Sequence, residues 1–320
     1  MLHRLRNAIS KSVYADRREY ELMRANVKNL GYALAGIVRS TTPPPPNPSP
    51  DNAVLLSKGC VQRDIESPWF HFWCSELRCA PIYHRKVWEL CYIPQVLYNE
   101  GKLRPGMAGL GFGCGEEALP SLFAKYGVNV LATDLDPGRQ ESAAWIQSNQ
   151  HAASIEKLRR PYICADTRLL ENINLRYVDM NAIPADLQGK YDFCWSTCSL
   201  EHLGSIANGL NFIEESLKTL KPGGVAVHTT EWNLDDDGPT QDHCGCVLFQ
   251  RRHFEAFAAR MKQKGFELPD IDFSKGEQIF DGLVDLPPFG AHTDAVAHLR
   301  LSVSGFRCTS FGLIIRKPIA

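Results

Sequence analysis

Apolar positions along this chain change their period several times, and each change marks an element. From Met1 to about residue 40, Leu5, Ile9, Val13, Tyr20 and Leu22 recur among many basic residues, which predicts an amphipathic helix over residues 1–40. Thr41 to Pro50, TTPPPPNPSP, cannot continue that helix and predicts an extended, semi-rigid spacer over residues 41–50. Residues 51–320 then alternate helical and strand-like segments. Ser67 and Pro68 open a helix in the aromatic stretch SPWFHFWCSEL, and His84, Trp88 and Tyr92 share one stripe of the next. These two form an aromatic cap over about residues 60–100.

A small, apolar run follows and ends in Gly111, Gly113 and Gly115. Leu119, Leu122, Phe123 and Tyr126 then recur at helical steps, Gly127 stops that helix, and Val128–Thr133 reads as a buried strand closing on Asp134. Arg139 to Leu158 has a helical pattern, and Leu175–Asp179 is the next strand. Tyr191–Cys198 is almost continuously apolar, as a strand covered on both faces should be. Asn211–Leu220 predicts a helix stopped by Lys221-Pro-Gly-Gly224, Val225–Thr230 a strand, Phe254–Lys264 a helix, and Phe306–Arg316 a closing hairpin strand. Repeated α/β alternation, then late strands without a long helix between them, predicts a doubly wound, seven-stranded, mostly parallel sheet with an antiparallel final strand.

Composition narrows the function classes. A net charge of −1 and the lack of a basic patch interleaved with aromatics argue against a nucleic-acid partner. Eleven scattered cysteines without framework spacing or a signal peptide predict a reducing, cytoplasmic setting. No apolar run approaches 18 residues, so no transmembrane segment is expected. The tethered helix is either a disposable tail or a docking element for a partner, for the same chain or for a membrane surface, with self-association one form of such docking.

The glycine turn carries the chemistry. A nucleoside lying across the ends of parallel strands needs backbone free of β-carbons beneath it, and an acid at the tip of the second strand to accept its ribose hydroxyls. Asp134 lies 19 residues after Gly115, close to the spacing of about 20 for that task. The spacing is G-x-G-x-G rather than the dinucleotide G-x-G-x-x-G, which argues against a nicotinamide oxidoreductase. Glu116 and Glu117 follow at the helix start; two acids there suit a ligand with a cationic end better than a pyrophosphate.

Leu110-Gly-Phe-Gly-Cys-Gly115 resembles motif I of the class I S-adenosylmethionine-dependent methyltransferases. Together with Asp134, Ser199-Leu-Glu-His-Leu203 and Lys221-Pro-Gly-Gly224, the resemblance spans about residues 84–230 in the expected order. The phrases GLGFG, ATDLD, EHLGS and HTTE are most similar to methyltransferases found with bacterial polysaccharide-assembly enzymes. This implies the Rossmann-like fold, S-adenosyl-L-methionine as cofactor, and transfer to a sugar or glycan-type hydroxyl, a small metabolite or a protein. Position 109, where most members carry an acid, is glycine; a non-catalytic binding or scaffold protein on the same fold is therefore the rival.

The resemblance also implies roles. Gly111, Gly113, Gly115, Asp134, Leu135, Asp179, Met180 and Ser196 would line the cofactor, with Asp179 near the adenine amino group. The helix before the first strand would lie across the cofactor mouth, so Trp69, His71, Tyr83, His84 and Arg85 are substrate candidates. A hydroxyl acceptor needs a general base, for which His202, Glu201, Glu231 and, more weakly, His228 qualify. Glu201 and His202 point about 100° apart if helical, so one of them faces the methyl. His202 is the choice, because an imidazole is mostly neutral at cytosolic pH. Asp242-His243-Cys244-Gly-Cys246 lacks the distant second pair of a zinc site, so no metal is expected.

Overall fold

The computed structural model describes residues 2–147, 150–289 and 296–319, with side chains from Ala15 onward. The strands are β1 (Ser57–Gly59), β2 (Ala108–Phe112), β3 (Asn129–Asp134), β4 (Ile173–Tyr177), β5 (Tyr191–Thr197), β6 (Leu220–Asn233), β7 (Ile271–Asp272), β8 (Arg300–Val303) and β9 (Phe306–Arg316). Their order in the main sheet is β4-β3-β2-β5-β6-β9-β1-β7. The first five run parallel and β9 is antiparallel to β6, as the alternation predicts. The outermost positions are an addition: the two short strands β1 and β7 extend the sheet beyond β9. β5 sits at the centre because Phe193, Cys194 and Trp195 are fully buried, with apolar layers on both faces.

The principal helices are α1 (Leu2–Thr41), α2 (Pro68–Glu76), α3 (Arg85–Asn99), α4 (Leu119–Lys125), α5 (Ile206–Leu217) and α6 (Arg251–Gln263). Ser67 caps α2 by accepting from the Phe70 amide, with Pro68 in its first turn. Trp88 and Tyr92 stack at 4.6 Å on the buried face of α3, while His84 is its cap and accepts from the Lys86 amide. Among the described residues no helix is long and apolar enough to cross a membrane.

Three expectations need adjustment. The helix expected over residues 139–158 is broken: a 3₁₀ turn at Gln140–Ser142, a short helix at Ala143–Gln147 and another 3₁₀ turn at Ile155–Lys157. The Ala152 amide donates to Asp134 and the His151 ring to the Leu135 carbonyl, so tertiary bonds take the groups a helix would use. The helix expected from Asn211 begins five residues earlier, capped by Ser205. Finally, the proline spacer does not hold α1 away from the domain. Its end is tied down by Gln95, which donates to the Pro50 and Ala53 carbonyls at 2.8 and 3.0 Å. Gly31 and Ala35 are buried against the domain, and Lys28 and Tyr32 meet Asp285 at 2.9 and 3.1 Å.

Candidate active site

The strand order reverses between β2 and β5, and the carboxyl ends of those strands open the crevice in which such sheets bind ligands. Phe112 leads from β2 into the glycine turn. Gly113 and Gly115 have φ of +57° and +53°, and a β-carbon would come within 2.8 Å of Ser199 at the first and 2.5 Å of the Gln150 carbonyl oxygen at the second. Backbone conformation and close approach thus both demand glycine there. Gly109 has a different cause: a β-carbon would fall 2.4 Å from the Phe193 ring. The ring from the neighbouring strand leaves no room for a side chain at that position.

Asp134 holds the turn together. Its carboxylate accepts from the amides of Gly115, Leu135 and Ala152 at 3.1, 2.8 and 2.8 Å. Asp179 accepts from the Asn181 amide at 2.8 Å and from Arg139 at 2.7 Å, and Met180 lies against Gly113. Ser196 turns to the other side of the sheet, where its hydroxyl bonds His228 Nδ1 at 2.8 Å. His228 is saturated by Ser196 and Ser216, and burial drives its pKa down to about 3, so it is a packing residue. Glu117, half-buried in the turn two residues before α4, accepts from Trp195 Nε1 at 2.6 Å. Burial pushes its carboxyl up to about 7 against the hydrogen bonds that favour ionisation.

A second group lies at the ends of β5 and β6 beneath the first turn of α3. Arg85 is buried and pairs with Glu231 Oε1, with Glu89 at 3.3 Å and with the Ser310 hydroxyl at 3.0 Å. Glu89, fully buried, also accepts from Thr229 at 3.2 Å and from the Cys198 thiol at 3.0 Å. Cys198 has φ +43°, a strained position for a side-chain-bearing residue, at the turn leaving β5. Burial, then Glu201 and Glu89, keep its thiol protonated. Burial likewise raises the Glu231 pKa against the pull of Arg85, and Glu231 Oε2 is buried without a hydrogen-bond partner.

The short 3₁₀ turn Leu200–His202 splits its two candidates as the helical geometry requires. Glu201 is buried and accepts from Thr230 at 3.1 Å; His202 faces outward, its ring 4.6 Å from Trp145. His202 Nδ1 lies 2.7 Å from the Gly245 carbonyl oxygen, which can only accept, so Nδ1 carries a hydrogen and the neutral ring has its lone pair on Nε2. Cys198, Glu201 and Glu231 bring ligand-type atoms within 4.8 Å of one another. The guanidinium of Arg85 already sits on Glu231, which leaves this trio a poor cation site. Asp242 caps α5 through the Ile206 amide, and His243 is exposed.

Of the cap residues proposed for substrate, Arg85 alone reaches this edge. Tyr83 bonds Glu66 and packs on Phe280, His84 stacks on His298, Trp69 is buried in the apolar core, and His71 lies against Phe70. Glu89 was not foreseen, although it is the lone acid inside the apolar run of α3 and stands four residues after Arg85.

The family profile described as "Methyltransferase domain" matches residues 83–270, more than half of the chain. No curated protein matches. Among solved structures the chain is similar to an S-adenosylmethionine-dependent methyltransferase from Aquifex aeolicus (15% identity, 70% of this chain and 88% of that one, TM-score 0.38). It is also similar to the [4+2]-cyclase SpnF (17%, 72% and 81%, TM-score 0.44). A third is the Burkholderia thailandensis 1,6-didemethyltoxoflavin-N1-methyltransferase (15%, 69% and 74%, TM-score 0.38). At such scores these likenesses add no weight to the profile match.

Proposed function

The chain belongs to the methyltransferase-domain family, and on that premise we propose that it is an S-adenosylmethionine-dependent enzyme that methylates a hydroxyl of a sugar or glycan-type acceptor. The residues at the glycine turn fit that cofactor. Gly111, Gly113 and Gly115 offer backbone without side chains, and Asp134 has carboxylate lone pairs beyond the three amides it accepts. Leu135, Asp179, Met180 and the backbone at Ser196 complete the lining. Glu117 would supply the negative charge that Gly109 cannot, toward the cofactor's cationic end. When bound, the cofactor supplies a methyl group activated by a sulfonium.

His202 then takes the acceptor's hydroxyl proton on Nε2. The observation that carries this role is the bond from Nδ1 to the Gly245 carbonyl, which fixes the tautomer able to accept. Arg85 and Glu231 position the acceptor's hydroxyls, and the fully buried Glu89 holds Arg85 in place from behind. A second assignment, with Glu231 as base, is favoured by its unpartnered, buried Oε2. Turnover of two variants separates them. His202→Gln should lose about 10²-fold in kcat with cofactor affinity unchanged, and Glu231→Gln should raise KM for the acceptor more than it lowers kcat. The opposite pattern transfers the role to Glu231; full activity of both variants rules out a base from this edge.

A further inference from the structure

The amino-terminal helix has two faces, and the domain covers only one. Arg24, Lys28, Gly31, Tyr32 and Ala35 lie on the side that meets the domain: Arg24 donates to the Pro287 carbonyl and Lys28 pairs with Asp285. The adjacent side carries Tyr20, Met23, Val27, Leu30 and Ile37, which are 53, 55, 47, 70 and 59% exposed. These five positions and the half-buried Leu34 are spaced alternately by three and four residues. The same spacing extends back through Val13 to Ile9 in the sequence, interrupted only by Asp16. Nine positions in strict heptad register, eight of them apolar, span about four heptads, the length at which such a pattern signals a coiled coil.

We propose that this stripe pairs with the same stripe of a second copy of the chain, joining two catalytic domains through an amino-terminal coiled coil. Self-pairing is favoured by two features. The seven-residue period is that of a helix partner, whereas a core-facing or bilayer-facing helix needs only a broad apolar face with a period near 3.6. In a parallel pair Glu19 falls opposite Arg24 of the second copy, five positions on, which is the spacing of interhelical ion pairs in coiled coils. Docking to its own domain draws Leu34 onto the core and Val27 to the cleft beside Leu283, but leaves Tyr20, Met23, Leu30 and Ile37 more than half exposed for a second helix.

The full chain should sediment or scatter as a species of about 72 kDa, twice the 35.8 kDa chain. Met23→Glu combined with Leu30→Glu should convert it to a monomer, with the melting transition and S-adenosylmethionine affinity retained, because both side chains are exposed. Ile37→Lys, on the same stripe, serves if the double variant does not accumulate. A wild-type monomer at 100 µM, on the order of the highest concentration assayed, overturns the proposal, as does a dimer that survives both variants. Flotation of a monomeric wild type with phosphatidylglycerol-containing vesicles would overturn it in favour of a bilayer surface.

Discussion

Glu117 gives the sharpest test of the cofactor end of the site. Its carboxyl is pushed up to about 7 by burial, although Trp195 donates to it. A cationic ligand end binds the ionised form, so apparent affinity scales with the ionised fraction. With a pKa of about 7, that fraction is about 0.5 at pH 7 and about 0.09 at pH 6. The sign follows directly: lowering the pH neutralises Glu117, and the Kd for S-adenosylmethionine should rise about fivefold between pH 7 and pH 6. This window lies below the range of about 7.7–8.0 in which an α-amino group itself titrates. Glu117→Gln keeps an acceptor for Trp195 but cannot ionise. Its affinity at pH 7 should be several-fold weaker and flat across the window. Isothermal titration of both proteins at four pH values measures this. An unchanged slope in the Gln variant would refute the assignment of Glu117 to the cationic end.

Two further outcomes are expected. Asp134→Ala removes the acceptor of three loop amides and, on the proposed reading, of the ribose hydroxyls, charge-assisted bonds of about 1.5–3 kcal/mol each, and should weaken cofactor binding at least about tenfold by calorimetry. Ala35→Asp places a carboxylate at a fully buried contact between α1 and the domain. It should release the helix and lower the melting temperature by about 2–8 °C, read by calorimetric scanning, while cofactor affinity holds.

The fold around the glycine turn was legible because its parts are local in sequence. A glycine turn, a helix, a strand and an acid lie within one β-α-β unit, and their order and spacing state their geometry. Gly109 was legible as a departure, but its cause was not, because Phe193 comes from another strand. The acceptor end was hidden for the same reason. Arg85 and Ser310 meet across 225 positions, and Glu89 joins them only once α3 is laid over β6 and β9. The aromatic cap was read as ligand-facing from its neighbourhood in the chain. In the fold its aromatics bury themselves, and Arg85 and Glu89 of the same helix reach the ends of β5 and β6. The helical period of residues 139–158 likewise lost to long-range bonds made by Asp134 and Leu135.

The central claim is methyl transfer, and the most direct measurement follows the methyl group itself. The full chain is incubated with S-adenosylmethionine carrying a tritiated methyl group and with acceptors from separate classes: oligosaccharides and lipid-linked glycans, small metabolites, and proteins. Label should appear in a glycan-type acceptor as an alkali-stable ether, with one equivalent of S-adenosylhomocysteine formed per methyl transferred and with loss of both signals in His202→Gln. Label confined to a small amine or a protein would contradict the acceptor assignment. Tight cofactor binding with no transfer to any class would contradict the claim that this chain is an enzyme.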